Sequence, residues 1–283
     1  MLTVEILSEV VHRCYVCGET DKLELVGTID RKPERETDFN IDVGEYHREI
    51  WACNNCQAYN NFHPYQFDEI YDGQYNESTY TNKILDNYNR VMNLDEGQSD
   101  NRLRVQRIAE NWTAKDRKLE GAKVLDVGSG LCVFLGEFMK YGIEAYCVDP
   151  DPVSIDHAKK NVGVKEAYQG YIADIGFEQK FDIITFNKVL EHVVNPVEIL
   201  SNSSEYLAEN GMIYVELPDG ENALNNEPLE VREEFFIEHY TVFSLDSLKI
   251  YIEASGLELT KSEAIYEPST KYTVYGFCVR KKQ

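Results

Sequence analysis

From Gly121 onward, short apolar segments alternate with helix-start signals, and this alternation restricts the fold more than any other feature. Residues 122–127 read as a first strand that runs into Gly128-Ser129-Gly130, and 131–139 read as a helix. Residues 144–148 give a second strand, after which Asp151 offers an N-cap with Pro152 at the first helical position. Short strands follow near 166–169 and 182–186. Asn195-Pro196 opens another helix, with Glu198 spaced for a capping box, and 212–216 form a fifth strand. Ser244 caps a helix that Gly256 ends, and 257–265 with 272–279 suit a final hairpin. Strands alternating with helices specify a doubly wound α/β sheet, whose ligands sit beyond the carboxyl ends of the strands where strand order reverses. The glycine turn after the first strand lies there, and so does Asp149 at the end of the second.

The region before this alternation has a different character. Cys14 and Cys17 form one C-x-x-C, and Cys53 and Cys56 form another. Two thiolates with two residues between them on a tight turn can reach one metal, and two such knuckles close a tetrahedral shell without water. The segments look like two halves of a zinc ribbon, with zinc in a structural role; iron fits the same four sulfurs. Between the pairs, 23–26 and 47–51 are strand-like, as a hairpin returning to the metal would be. Cys132, Cys147 and Cys278 are single. We expect a metal-binding subdomain over 1–62, a bridging or lid segment with Tyr71, Tyr75 and Tyr80 over 63–99, and the α/β domain over 100–283. Within the last, Val105, Ile108, Ala109 and Trp112 fall on one face of a helix at 101–112.

Composition narrows the partners. With 28 basic and 50 acidic side chains the net charge is −22, which repels phosphate backbones and speaks against nucleic acid. No apolar run approaches the ~20 residues of a membrane helix, and the acidic start lacks the form of a signal peptide. The expectation is a cytoplasmic protein with no membrane partner.

A lone G-x-G followed by an acidic strand end describes a dinucleotide site as well as an S-adenosylmethionine site. Here Val133 stands where a dinucleotide fingerprint needs its last glycine. The stretch V-L-D-V-G-S-G-L-C-V-F-L from Val124 resembles motif I of the class I S-adenosylmethionine-dependent methyltransferases. V-D-P-D-P from Val148 resembles their acidic second-strand end, and F-D-I-I-T-F-N-K-V-L-E-H-V from Phe181 resembles their fourth strand with its L-E-H signature. The resemblance implies a Rossmann-like seven-stranded sheet with a reversed last strand. It also implies that Gly128 and Gly130 pass the methionine portion of the cofactor, that Asp126 orients its amino end, and that Asp149 binds the ribose. Asn187 would lie beside the methionine moiety. The chain departs from that pattern at Cys132, where a third glycine is frequent, and at Gly170-Tyr171-Ile172, where an acidic residue often meets the adenine. Tyr171 or Ile172 could pack on adenine instead, with Asp174 as a source of a carboxylate.

The acceptor end is marked by two histidines, His192 in L-E-H and His239 in F-F-I-E-H-Y. The metal knuckles, the methyltransferase motifs and Glu238-His239 together resemble bacterial sugar methyltransferases. In the deoxysugar C-methyltransferases a Tyr-x-Glu-His motif carries the proton-abstracting histidine. Phe236 replaces the tyrosine here, and those enzymes extend into a further C-terminal domain. The resemblance therefore implies O- or C-methylation of a sugar or nucleotide-linked sugar, with His239 as base, Glu238 shaping its surroundings and His192 nearby. Other readings are a quinone-like or amine acceptor, a non-catalytic zinc-ribbon module, and a nicotinamide oxidoreductase. The irregular 219–235 segment is expected to cover the acceptor pocket, with 63–81 closing it from the other side.

Overall fold

The computed structural model describes residues 12–42, 44–65 and 83–281. The expected lid at 63–81, with its tyrosines, falls largely outside the described residues. The α/β domain is built on seven strands: β4 (Lys123–Val127), β5 (Glu144–Asp149), β6 (Glu166–Gln169), β7 (Phe181–Asn187), β8 (Leu207–Pro218), β10 (Leu257–Tyr266) and β11 (Tyr272–Arg280). They form one sheet in the order β10-β11-β8-β7-β4-β5-β6. β4 to β8 run parallel, while β11 lies antiparallel between β8 and β10. The seven-stranded sheet with a reversed last strand is as expected. Residues Val124–Val127 and Ile183–Phe186 are buried, because helices cover both faces of a parallel sheet. The chain leaves β4 toward β5 and β6 on one side and returns as β7 on the other. The switch point therefore falls between the ends of β4 and β7.

The helices follow their caps. Numbered in chain order, they are α1 (Ile84–Met92), α2 (Asp100–Thr113), α3 (Val133–Phe138), α4 (Pro152–His157), α5 (Pro196–Ser203), α6 (Gly220–Asn226) and α7 (Leu245–Ala254). Ser99 caps α2, which buries Val105, Ile108, Ala109 and Trp112 as the spacing predicts. Asp151 caps α4 through Val153 and Ser154 N–H, and Ser244 forms a capping box with Ser247 at α7. At α5 the expected box does not form: Asn195 makes no side-chain cap hydrogen bond, and Pro196 starts the helix through its fixed φ. Two helices were not expected from the sequence. α1 carries Ile84, Leu85, Tyr88, Val91 and Met92 at helical spacing although it has no buried residue; Arg102 supports its end by donating to the carbonyls of Met92 and Leu94. α6 lies within 219–235, where a glycine and three asparagines are poor helix formers, and Asp219 caps it.

The N-terminal lobe is a four-stranded antiparallel sheet of β1 (Leu23–Ile29), β2 (Arg48–Cys53), β3 (Tyr59–Phe62) and β9 (Thr241–Val242), in that order. β1 and β2 form the expected hairpin, with Leu23 opposite Cys53. The fourth strand comes from far along the chain, pairing Tyr59 with Val242 and Asn60 with Thr241. Cys14, Val16, Cys53, Cys56 and Ala58 share one buried cluster with Leu217, Phe243 and Leu248, so lobe and sheet form a continuous core.

Candidate active site

The turn after β4 is set by its backbone. Gly128 has φ 71°, and a Cβ there would lie 2.6 Å from Val189 Cγ2. Gly130, with φ 47°, faces open space, and its N–H donates to Asp149 Oδ2 at 2.8 Å. Cys132 is left-handed too, with φ 58°, which explains why glycine suits this position; its buried thiol packs beside Cys147. Asp149 Oδ1 accepts from Asp151 N–H at 2.9 Å, so both carboxylate oxygens are aimed by backbone donors at the end of β5.

Asp126 lies one strand over, where its Oδ1 accepts from Thr185 Oγ1 at 2.7 Å and from Asn187 Nδ2 at 2.8 Å. Burial pushes its pKa up to about 7 against those two hydrogen bonds, and burial likewise raises Asp149 to about 6. Asn187 Oδ1 is buried and has no protein partner among the described residues. A buried, unpartnered acceptor on a cavity-lining residue beside a buried carboxylate suits an ammonium group. Beyond β6, Ile172 is buried while Tyr171 is half exposed, and both line the same space; Asp174 is exposed.

These groups form one end of a cavity of about 800 Å³. Ligand pockets run to roughly 1,000 Å³, so there is room for a nucleoside cofactor and a small acceptor together. The other end holds Glu191, His192, Glu238 and His239. The His192 and His239 rings meet edge to face at 4.7 Å between centroids. His239 Nδ1 is 2.8 Å from the Glu234 carbonyl and His192 Nδ1 is 3.0 Å from that of Glu238, so each ring places its N–H on Nδ1 and its lone pair on Nε2. Burial lowers the pKa of His192 to about 4 and that of His239 well below its usual value, leaving both neutral. Burial raises both Glu238 and Glu191 to about 7. Glu191 is fully buried, and neither of its carboxylate oxygens has a protein partner among the described residues.

The sequence pattern singled out His192 but not Glu191. Its signal was an acidic residue behind the apolar pair Val189-Leu190. Lys271 and Arg35, outside any motif, also line the cavity, as does Lys188 from within the fourth-strand motif. Lys188 is held by Thr273 Oγ1 at 2.6 Å. Glu191, His192 and His239 offer ligand atoms within 4.8 Å of one another, a spacing that could hold a cation.

The four knuckle cysteines form a second cluster. Cys14 and Cys56 sulfurs lie 3.5 Å apart, and Cys17 and Cys53 sulfurs 3.6 Å apart, with all four thiols free of disulfides. Ligands at ~2.3 Å from a tetrahedral zinc lie about 3.8 Å from each other, so the donor set fits that ion. The neighbouring Cys56 thiol lowers the pKa of Cys14 to about 5, favouring a thiolate there.

Switch-point turn, acidic second-strand end and reversed last strand together define the class I methyltransferase architecture. A methyltransferase-domain family model matches residues 96–262, more than half of the chain, and the chain belongs to that family, the S-adenosylmethionine-dependent methyltransferases of class I. Ubiquinone biosynthesis O-methyltransferase of Pasteurella multocida (strain Pm70) is 30% identical over 129 residues, covering 40% of this chain and 52% of that protein. C-methyltransferase NovU of Streptomyces niveus is 23% identical over 258 residues, covering 88% of this chain and 56% of that protein. The chain thus spans about half the length of these curated relatives. Among solved structures, a methyltransferase from Clostridium acetobutylicum ATCC 824 superposes with a TM-score of 0.53 at 14% identity, over 71% of this chain and 99% of that one. Magnesium protoporphyrin IX methyltransferase from Synechocystis PCC 6803, solved with bound S-adenosylhomocysteine, gives 0.52 at 14% identity, over 72% and 97%. These two likenesses are of fold.

Proposed function

We propose that the chain methylates a small hydroxylated acceptor in the cytoplasm, with a sugar or nucleotide-linked sugar as the favoured class. One observation carries the reading: a histidine and carboxylate cluster shares a single cavity with the cofactor turn. When bound, S-adenosylmethionine supplies an electrophilic methyl carbon and departs as S-adenosylhomocysteine. Asp149 would accept from the ribose hydroxyls, and Asp126 with Asn187 would hold the ammonium. Ile172 and Tyr171 would flank the adenine, while the turn at Gly128 and Gly130 gives the cofactor close access to backbone. His239 would take the acceptor's hydroxyl proton on Nε2 as the acceptor oxygen closes on the methyl carbon. Glu191 and Glu238 would accept from neighbouring hydroxyls and stabilise the resulting imidazolium; His192 would buttress the ring. The four-cysteine cluster would hold a structural zinc.

The polar acceptor end favours a polyol over a quinone-like ring. C-methylation is the second reading, supported by the likeness to NovU, which runs over both lobe and core. A native mass spectrum showing one zinc per chain and a mass shift with S-adenosylhomocysteine is the expected first result. Zinc without binding of either cofactor form would return the chain to a non-catalytic module. With an acceptor found by screening nucleotide sugars, His239→Ala should lower kcat by about 10²–10⁴, the range for general-base loss; full turnover would remove the base assignment. Deuterium exchange into the acceptor carbon without methyl donor separates C- from O-methylation.

A further inference from the structure

The segment that carries Glu238 and His239 takes several of its hydrogen bonds from the N-terminal lobe. Arg48 is fully buried and donates from Nη1 to the Phe235 carbonyl, from Nε to Tyr46 Oη at 2.7 Å and from Nη2 to Glu36 Oε1 at 3.2 Å. The same Glu36 oxygen accepts from Ile237 N–H at 2.8 Å. Asn61 Nδ2 donates to the Phe236 carbonyl at 3.2 Å, and Asn61 N–H donates to the Tyr240 carbonyl at 3.0 Å. Ile29, Tyr46 and Ile237 close an apolar cluster beneath these contacts. Backbone groups on both sides of His239 are thereby held from residues 36–61.

From this we infer that the buried Glu36–Arg48 pair is a positioning device for the acceptor end of the cavity, fixing where the His239 imidazole points. An ion pair with no exposure is seldom the most stable filling for its space, since apolar residues of similar volume often do as well. What apolar residues cannot do is place a donor on the Phe235 carbonyl and an acceptor on the Ile237 N–H. Those two contacts fix the peptides that precede Glu238, whose own carbonyl orients His192. The cofactor end takes its geometry from β4, β5 and β7, which supply none of the pair's hydrogen bonds given above. The inference rests on the reading of His239 as the base only for its catalytic consequence; the positional effect is measurable without turnover.

The test uses the full metal-loaded chain and three variants, Glu36→Gln, Arg48→Met and Arg48→Lys. Ring ¹⁵N spectra assign the His239 tautomer and its titration midpoint, and diethylpyrocarbonate labelling read by peptide mass reports its reactivity. Calorimetry with S-adenosylhomocysteine reports the other end of the cavity. Expected for Arg48→Met are a mixed tautomer, a His239 midpoint moved toward the ordinary ~6.5 and labelling faster by about tenfold, with S-adenosylhomocysteine affinity within about twofold of the parent. Glu36→Gln keeps the shape and removes one charge, so it should fold and show a smaller change in the same direction. Arg48→Lys, which cannot reproduce the forked contacts, should leave most of the defect. Unchanged tautomer and labelling in a folded Glu36→Gln and Arg48→Met pair would overturn the inference. A parallel fall in cofactor affinity would overturn it too, as general destabilisation. Failure of His239→Ala to slow turnover would strike the base assignment alone.

Discussion

Asp126 shows how burial prepares a single residue. Its carboxyl is buried, so its pKa rises to about 7 despite the bonds from Thr185 and Asn187. A carboxyl raised above its unfolded value near ~3.9 adds stability that is complete below that pH and is lost as pH climbs through the folded pKa. The unliganded protein should therefore lose stability between about pH 4 and 7 from this group, and Asp149 at about 6 adds in the same direction. An ammonium from the cofactor reverses the preference by favouring the ionised form. S-adenosylhomocysteine should accordingly bind more tightly as pH rises from about 5.5 to about 8, with proton release. Calorimetry in two buffers of different ionisation enthalpy counts that proton. Asp126→Asn should flatten the profile; a flat profile in the parent would contradict the assignment. At this scale the sequence was informative wherever a motif names a position. Asp126, Gly128, Gly130 and Asp149 line one cavity. Glu191 and Arg48 stayed hidden, because a charge that looks like surface in one dimension becomes buried only through distant packing.

Among the elements, the β4 turn and its following helix were legible because glycine and capping chemistry act locally. Gly128→Ala should be costly on two counts, a left-handed φ and a Cβ 2.6 Å from Val189 Cγ2. We expect a loss of roughly 1–3 kcal/mol from strain of this kind, visible as a lower thermal midpoint, together with weakened cofactor binding. A midpoint and affinity equal to the parent would show that the turn tolerates the methyl group. Two of the elements that escaped prediction share a physical cause: α6 is built from poor helix formers and β9 is two residues long, so each depends on partners remote in sequence, to which periodicity is blind. α1 has apolar residues at helical spacing but buries none of them.

For the whole molecule, a metal held by the four cysteines would decide how much of the lobe persists. Structural zinc contributes about 10–16 kcal/mol in isolated zinc-finger peptides, comparable to the ~5–15 kcal/mol that holds an entire domain. Removing it with a chelator should expose the amides of β1, β2 and β3 to hydrogen exchange while those of β4 and β7 remain protected. Equal protection before and after removal would mean that the cysteines are packing residues only. Because Cys14, Cys53 and Cys56 share a core with Phe243 and Leu248, loss should spread to the start of α7 before it reaches the parallel sheet.

The pairing of β3 with β9 also sets an order of events during synthesis. Residues 59–62 leave the ribosome long before 241–242, and a vectorially made chain cannot pair a strand with one not yet translated. Whether or not the knuckles hold a metal by then, their sheet waits with an open edge until the α/β core has largely emerged. Unpaired edges invite pairing with other chains. A nascent copy thus carries, for most of its synthesis, a half-finished lobe that only its own downstream sequence can close. For the same reason the lobe cannot be cut out at a single point and moved to another enzyme with its sheet complete.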